Sequence, residues 1–356
     1  DRYQYILPSY NFSKNFFLES VTGSFNLNSH GNNTLKETNV TTSKIFNDLN
    51  YSSINNFLDN GIKTNFDIFL KNVNTTGKND IEYKDKLHSR LMSAYTFNAS
   101  LPMINKTFST FNTLEPKLSL RLSPHQMRDN STLERRIDMN NIFNKNRLSM
   151  DESFESGESV TVGLNFKKEK VNIKNELSEI EEYIDFKLAS VFRLNEEKNI
   201  PNNSTLNKKT SNIFGEFNFK PIKNISLGYN FSLTEDLDTF EYNSLVTKMK
   251  YENFTTQFDY LKESGVIGRG HIIENKTKYS FNNSNSISFN VRENRELNLT
   301  EYYDLIYEYK NDCLVAGVKY KKNYYNDGDI EPIEELFFSI TIVPLTTLTP
   351  SKMALN

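Results

Sequence analysis

The sequence contains no tryptophan, one cysteine, and no apolar run long enough to cross a bilayer as a helix. Such a helix needs about 20 consecutive apolar residues, so helical membrane proteins are excluded. Basic residues (42) and acidic residues (45) nearly balance, and no basic stripe occurs, so nucleic acid is not an expected partner. The cysteine, Cys313, cannot pair within this chain. On the residues alone, a free thiol and a partner cysteine elsewhere both remain open.

Motifs for catalysis and metal binding are also absent from the sequence. The four histidines are scattered, with no pair at helical spacing and no cysteine beside them, so no metal site is predicted. No nucleophile motif occurs, and the glycine-rich stretch 265–270 reads as a turn because no helix pattern follows it. We therefore expect neither an enzyme nor a cofactor.

Low hydrophobicity and high aromatic content conflict in this chain. Hydrophobic residues make up 37% and the mean hydropathy is −0.61, values typical of disorder, yet there are 27 Phe and 19 Tyr. Strands that are apolar on one face only resolve the conflict. Six stretches alternate apolar with small polar residues at a period of two, the pattern of half-exposed strands. Their apolar positions include Ile225, Leu227, Tyr229, Phe231 and Leu233; Tyr95 and Phe97; Leu118, Leu120 and Leu122; and Val160 and Val162.

Repeated over this length, the pattern predicts an all-β fold, a large antiparallel transmembrane β-barrel with lipid outside and water inside. Short links such as 221–224 alternate with longer ones such as 195–210, as in outer-membrane barrels. The first strands are predicted near 2–8, 15–27 and 35–46, and the last at 334–345. Between residues 211 and 325, strands are predicted near 211–220, 224–234, 238–251, 254–263, 269–281, 284–293, 299–310 and 312–325. Turns are predicted at 221–224, 262–265, 282–285 and 310–312. Residues 1–345 form the barrel portion and 346–356 a C-terminal tail.

The chain starts at Asp1 and has no signal segment. We therefore expect an incomplete, C-terminal part of a barrel whose N-terminal portion is missing. Segment 124–157 breaks the strand rhythm and is predicted to be a long loop. It is either a solvated surface loop or one folded inward over the lumen. Its candidate functional residues are Arg135, Arg136, Asp138, Asn141, Phe143, Arg147 and Asp151.

The order of several pieces over residues 110–345 resembles one family. They are EPKLSLRLSP, the loop RRIDMNNIFNKNRLSMDESFESGESVTVGLNF, the strand–loop–strand unit beginning DFKLASVFRL, and NDCLVAGVKYKKNYYNDGDIEP followed by ELFFSITIVPL. Together they resemble LptD, the family of lipopolysaccharide-assembly proteins of the Gram-negative outer membrane. The resemblance implies transport of lipopolysaccharide (LPS) to the outer leaflet through a lateral opening between the first and last barrel strands. It also implies an LptE-like lipoprotein plug and periplasmic LPS-bridge proteins that bind the missing N-terminal domain.

The resemblance also assigns roles at the C-terminal end. The last strand, with Phe338, Ile340, Ile342 and Pro344, is implied to form one side of the lateral opening. Pro344 fits a weakened edge because proline cannot donate to a ladder, although an ordinary strand end fits equally. Cys313 is implied to form a disulfide with the missing N-terminal part, and the oxidising periplasm suits this bond. Some members carry two adjacent cysteines here, whereas this chain has Leu314 next.

Two other classes compete with this interpretation. One is a porin or nutrient-uptake barrel of the outer membrane. The other is a secreted, soluble β-sandwich or adhesin, in which apolar strand faces would pack against each other. The Cys313 region favours the LPS-assembly family over a porin, and a requirement for detergent distinguishes a membrane barrel from a sandwich.

Overall fold

The computed structural model describes residues 4–18, 21–36, 39–174, 177–324, 333–342, 346–348 and 353–354. Over these residues the regular secondary structure is β-strand, apart from one helical element, the 3-10 turn Asn202–Ser204. No helix among the described residues is long and apolar enough to span a membrane. The prediction of an all-β antiparallel protein is confirmed.

The strands, numbered in chain order, are β1 (Gln4–Leu18), β2 (Val21–Lys36), β3 (Val40–Ser53), β4 (Asn56–Phe57), β5 (Lys63–Lys78), β6 (His88–Ser100), β7 (Met103–Lys106), β8 (Thr110–Ser123), β9 (Gly157–Lys174), β10 (Leu177–Arg193), β11 (Ile213–Ile222), β12 (Ile225–Leu233), β13 (Phe240–Tyr251), β14 (Phe254–Glu263), β15 (Gly270–Ser280), β16 (Asn285–Asn294), β17 (Leu299–Lys310), β18 (Leu314–Asn323), β19 (Glu334–Ile342), β20 (Thr346–Leu348) and β21 (Met353–Ala354).

The chain forms two compact units. Unit 1 comprises Asp1–Ile104, Thr113–Asn165 and Lys187–Phe214; unit 2 comprises Asn105–Asn112, Phe166–Phe186 and Gly215–Asn356. In unit 1, antiparallel ladders join β1 to β2, β2 to β3, β3 to β5, β5 to β6 and β6 to β8. In unit 2, antiparallel ladders join each consecutive pair of strands from β12 to β19.

Asparagine side chains set two of the tight turns in unit 2. The Asn282 Oδ1 accepts backbone N–H groups of Ser284 (2.9 Å) and Asn285 (2.8 Å) in the β15–β16 turn. Asn311 Oδ1 does the same for Cys313 (3.0 Å) and Leu314 (2.8 Å). Such side-chain turns fix a hairpin locally, which is why the sequence predicts these turns correctly.

The strand predictions agree with the structure to within three residues from β11 to β19, and they are wrong near the N-terminus. The predicted strand 15–27 runs across the boundary between β1 and β2. Residues 26–34 (NLNSHGNNT) are polar on both faces, so alternation carries no signal there. Polar side-chain bonds such as that from Asn26 Nδ2 to Asn15 Oδ1 (2.6 Å) add to the backbone ladder between β1 and β2.

The two faces of the unit 1 sheet have an inverted distribution of polarity. One face, here called the open face, exposes Leu118, Leu120 and Leu122 of β8, with Leu91 and Phe97 of β6. The opposite face, here called the covered face, carries buried polar side chains, among them Asp67, Lys71, Thr96, Ser119 and Arg121. A soluble sheet does the reverse, so this sheet is built for an apolar surrounding and a polar interior.

The same inversion occurs in unit 2. Phe289, Leu305 and Phe338 are exposed, whereas Ser286 and Asp304 are buried. Cross-strand partners keep the apolar side chains on one face, as in the pairs Phe289↔Leu305 and Val318↔Phe338. The period-two pattern in the sequence therefore identified the face that lies away from the polar interior.

Candidate functional site

The covered face of unit 1 is overlaid by the residues between β8 and β9, here called the long loop (124–156). Three arginines, Arg121, Arg147 and Arg193, converge on Glu155, and all four side chains are buried. Arg147 donates from Nε to Glu155 Oε2 (2.5 Å) and from Nη2 to Oε1 (2.6 Å), a bidentate pair. Arg193 donates from Nη1 to the same Oε1. One carboxylate thus ties the long loop to the end of β10.

The surroundings hold Glu155 ionised. Burial by itself would raise the pKa of this carboxyl, but the charge and hydrogen bonds of Arg147, with the charges of Arg121 and Arg193, outweigh burial and hold it at about 2. The loop returns to the sheet at Gly157, in the left-handed region (φ +87°). A Cβ there would lie 2.7 Å from Arg193 Nη2, so glycine admits the guanidinium.

The long loop shares a small hydrophobic core with the β10–β11 connection, here called the second loop (194–212). The long loop contributes Met127, Ile137, Ile142, Leu148 and Met150, and the second loop contributes Ile200 and Leu206. Backbone hydrogen bonds also join the two loops, from Asn130 N to Asn199 O (2.9 Å) and from Asn202 N to Ser131 O (3.1 Å). The two loops therefore fold together as one packed layer.

Two anchors fix that layer to the covered face. Phe154 is fully buried and packs among residues of β3, β5 and β6, with its ring centroid 5.0 Å from that of Phe69. Lys145 Nζ lies 3.0 Å from Asp67 Oδ1 and donates to Ser52 Oγ at 2.6 Å. Arg121 Nη1 donates to the Lys145 carbonyl at 2.6 Å. The buried Phe154 ring and the polar contacts of Lys145 thus both hold the long loop against the sheet.

Glu152 forms a second, more exposed polar network. Its Oε1 accepts hydrogen bonds from Lys44 Nζ (2.7 Å) and from the Tyr83 hydroxyl, and Arg128 lies 3.4 Å from its Oε2. Lys44 Nζ also donates to the Tyr83 oxygen at 2.6 Å and lies 4.4 Å from the centre of its ring. Burial would raise the pKa of Glu152, but the hydrogen bonds from Lys44 and Tyr83 lower it.

The candidate loop residues occupy different positions. Arg147 is buried against Glu155, and Phe143 packs on the shared core, its ring 2.6 Å from where a Cβ of Gly163 would lie. Asp138 and Asn141 form a local turn in which the Asp138 Oδ1 accepts the Asn141 N–H at 3.1 Å. The remaining three are exposed, and they are Arg135, Arg136 and Asp151.

Sequence reasoning missed the partners of these residues. Glu155, Arg193 and Lys145 complete the buried contacts, and Glu152 carries the exposed network. Nothing in their local sequence separates them from other loop and strand-end charges, because their partners lie far away in the chain. A weak signal was present in the polar faces of β8 and β9, where Arg121 and Ser159 alternate with apolar residues. A charged residue at an inward strand position needs a partner.

β19 is the strand predicted to form one side of the lateral opening. Phe338, Ile340 and Ile342 are exposed on it, and Pro344 lies outside the described residues. The ladder to β18 spans nine residue pairs, from Leu314↔Ile342 to Lys322↔Glu334. The predicted tail contains two short strands that also pair with β19, through Ile340↔Leu348 to Ile342↔Thr346 and through Glu335↔Ala354. The tail thus covers part of this strand's other edge.

Cys313 lies in the β17–β18 turn and is exposed, with no disulfide partner among the described residues. Turns at this end of unit 2 are short, such as 223–224 and 252–253. Connections at the opposite end are longer, such as 234–239 and 264–269. Cys313 therefore lies at the short-turn end of unit 2.

Strands with an exposed apolar face and a polar covered face, joined by connections of unequal length at the two ends, define the class of outer-membrane β-barrel proteins. Within this class the chain matches the model of the LptD family, described as "LPS transport system D", over residues 6–270. The match covers more than half of the chain, which therefore belongs to the LptD family. Its location is the outer membrane of a Gram-negative cell.

The resemblance noted over residues 110–345 and the family match overlap from 110 to 270. The match also includes residues 6–109, where the resemblance was weaker, and it does not include Cys313 or the last strand. The roles of those C-terminal residues stay predictions.

Three solved structures are distantly similar to this chain. The siderophore receptor PirA from Acinetobacter baumannii has a TM-score of 0.45 at 7% identity, covering 95% of this chain and 65% of the receptor. Two mutants of the Rh. blastica porin have TM-scores of 0.24 and 0.21 at 11% and 10% identity, covering 93% and 91% of this chain and 98% and 97% of theirs. The chain thus spans about two thirds of the receptor's length. No curated protein matches the chain.

Proposed function

We propose that this protein delivers LPS to the outer leaflet of the outer membrane and that it is a transporter, not an enzyme. The observation that carries the proposal is family membership in LptD, joined to the inverted faces of the sheet. LPS has a sugar and phosphate part and an acyl part. A polar interior suits the first part, while the acyl chains stay with the apolar face and lipid.

The proposed exit is lateral, between the first and last strands of the complete barrel. β19 would form one side, with Phe338, Ile340 and Ile342 facing the acyl chains. Opening would first release the tail, which is paired to β19 through three residues at β20 and two at β21. These short ladders contain fewer hydrogen bonds than the nine-pair ladder to β18, so they separate first.

The long loop is proposed to lie over the lumen on the external side. This role is supported by its contacts with the covered face through Phe154 and Lys145. A loop that fills the polar interior would limit the passage of other solutes while LPS leaves sideways. A porin needs an open, water-filled interior, so the filled covered face does not favour that alternative.

The proposed partners are an LptE-like lipoprotein that plugs the lumen and periplasmic LPS-bridge proteins that bind a preceding domain. Cys313 is proposed to form a disulfide with that domain. Its exposure and its place in a short turn support this, because a periplasmic partner could reach it. The soluble-sandwich alternative is disfavoured because a sandwich buries the apolar faces that are exposed here.

Depletion of the full-length protein in its own cells tests this function. Newly made LPS is followed by a pulse of labelled sugar, and its arrival at the cell surface is measured with a probe that does not cross the membrane. We expect surface arrival to stop on depletion and to return with the wild-type gene. Normal arrival without the protein would contradict the proposal, and loss of solute uptake instead would indicate a porin or receptor.

A further inference from the structure

The β5–β6 connection, residues 79–87 and here called the lid, differs from the long loop in how it is held. The lid is shaped by local hydrogen bonds. The Asp80 Oδ1 accepts the N–H groups of Glu82 (2.7 Å) and Tyr83 (3.1 Å), and Gly77 N donates to the Lys84 carbonyl at 2.8 Å. This turn presents the Tyr83 side chain toward β3 and the long loop.

Polar contacts attach the lid to the rest of unit 1. The Tyr83 hydroxyl donates to Glu152, and Lys44 Nζ contacts both of them. Thr42 Oγ1 donates to Asp80 Oδ2 at 2.7 Å, and Arg128 Nη2 lies 3.0 Å from Glu82 Oε1. These contacts are half-buried or exposed, and each contributes little stability in water.

Two open clefts flank the lid, and no apolar side chain anchors it. A cleft of about 440 Å³ separates it from β1 to β3, and one of about 430 Å³ separates it from β6 and the long loop. Its apolar residues, Ile81 and Leu87, point to solvent. Segments with few buried apolar contacts open at low free-energy cost.

The long loop lies at the other extreme. It is held by the buried Arg147–Glu155–Arg193 contacts, by the shared hydrophobic core and by Phe154. Breaking a buried ion pair by separating its members is far more costly than breaking an exposed one. If this end of unit 1 moves, the lid is therefore expected to move while the long loop stays fixed.

We infer that the lid is a movable cover on the covered face, latched by the contacts of Tyr83 with Glu152 and Lys44, and that it opens while the long loop stays in place. Burial and the hydrogen bond to Glu152 raise the pKa of Tyr83 to about 12. The Tyr83 hydroxyl therefore keeps its proton at neutral pH and can donate the hydrogen bond to Glu152. The purpose of the opening, which is access to the polar interior, rests on the proposed function. The movement itself is inferred from the contacts of the lid.

The test places a reporter under the lid. Thr75 is buried and lines the cleft between the lid and the long loop. The variant Thr75→Cys, in the full-length protein in outer membranes, is treated with a water-soluble maleimide. Labelling of the reporter peptide is followed by mass spectrometry, so that Cys313 need not be replaced. We expect slow labelling with the latch intact and about tenfold faster labelling when Tyr83→Phe and Glu152→Gln are added.

Two controls separate lid opening from general loosening. Asp151→Asn removes an exposed carboxylate next to Glu152 and should leave the labelling rate unchanged. Ala189→Cys places a reporter in the core under the long loop and should stay protected when the latch is removed. Equal labelling of Thr75→Cys with and without the latch, or an equal rise at Ala189→Cys, would overturn the inference. Faster labelling at Thr75→Cys alone supports it whether or not LPS delivery changes, so the two proposals can fail separately.

Discussion

Glu155 is the acidic residue at the centre of the buried charge cluster of the long loop. It is the carboxylate that faces three buried arginines, and its two oxygens accept the hydrogen bonds of Arg147 and Arg193. Buried charges of one sign repel each other and lose their hydration, so they are tolerated only with a counter-charge. This side chain therefore supplies the counter-charge that the three arginines need when the loop packs on the sheet.

Glu155→Gln is expected to destabilise the protein by about 3–5 kcal/mol, because it leaves the arginines buried without a counter-charge. The measurement is denaturant unfolding in detergent micelles, followed by the far-ultraviolet signal of the strands. Asp151→Asn, an exposed change in the same loop, is the matched control and should have an effect of about 0.5 kcal/mol or less. Equal effects of the two variants would argue against the cluster as the main anchor.

The same residue predicts a pH dependence. Its pKa is lowered from 4.5 to about 2 in the folded protein, so its contribution is fully present above pH 4.5 and is lost as the pH falls toward 2. The stability difference between wild type and Glu155→Gln should therefore shrink across that window. The free energy of unfolding of both proteins, measured from pH 6 to pH 2 in steps on the order of one unit, checks this. A stability difference that grows on acidification would contradict the prediction.

Cys313 carries the disulfide prediction. It is exposed at the short-turn end, where a periplasmic partner could reach its thiol. In isolated outer membranes the full-length protein should change gel mobility on reduction, and Cys313→Ser should abolish that change. A thiol at Cys313 that reacts with maleimide before any reduction would mean that the bond is absent.

At the scale of the strand, the sheet faces carry the membrane assignment. Leu305 lies mid-strand in β17 and is 43% exposed, and Leu133 in the long loop is also 43% exposed. In water the two leucines would tolerate a lysine equally well. In a bilayer the strand position would not, because a charge on the lipid-facing side near the midplane costs about 2–4 kcal/mol.

Leu305→Lys is therefore expected to reduce folding stability in lipid vesicles by about 2–4 kcal/mol, and Leu133→Lys should change it little. The measurement is reversible unfolding of the full-length protein in vesicles. Equal, small effects at both positions would contradict a lipid-facing β17.

The elements differ in how far the sequence determines them. In β12 and β16 aromatic or aliphatic residues alternate with polar residues, and turns such as Asn282–Asn285 are fixed locally, so the strands there could be predicted. In residues 26–34 of β2 both faces are polar, so alternation gives no signal there, and local sequence does not reveal pairings such as that of Asn15 with Asn26. The loop anchors were missed for the same reason, since Glu155 and Arg193 meet only through the fold.

At the scale of the whole molecule, family membership and the inverted faces agree. The family match reaches residue 270, so it supports LPS transport without addressing the C-terminal strand. The lateral exit at β19 depends on that strand. The tail pairs with β19, for example at Ile340↔Leu348, so an opening at this strand must first break that pairing. The sequence did not predict the tail strands because they are only three and two residues long.

The most direct measurement is photo-crosslinking of newly made LPS at Phe338, with Tyr307 as the matched control. The two lie in one cross-strand row, through Val318, and are 45% and 43% exposed. A photoreactive phenylalanine replaces each in turn, and labelled LPS is followed after a short pulse. We expect the crosslink at Phe338 to appear first and that at Tyr307 to follow once LPS has spread through the membrane. Simultaneous appearance, or Tyr307 first, would contradict a lateral exit beside the last strand.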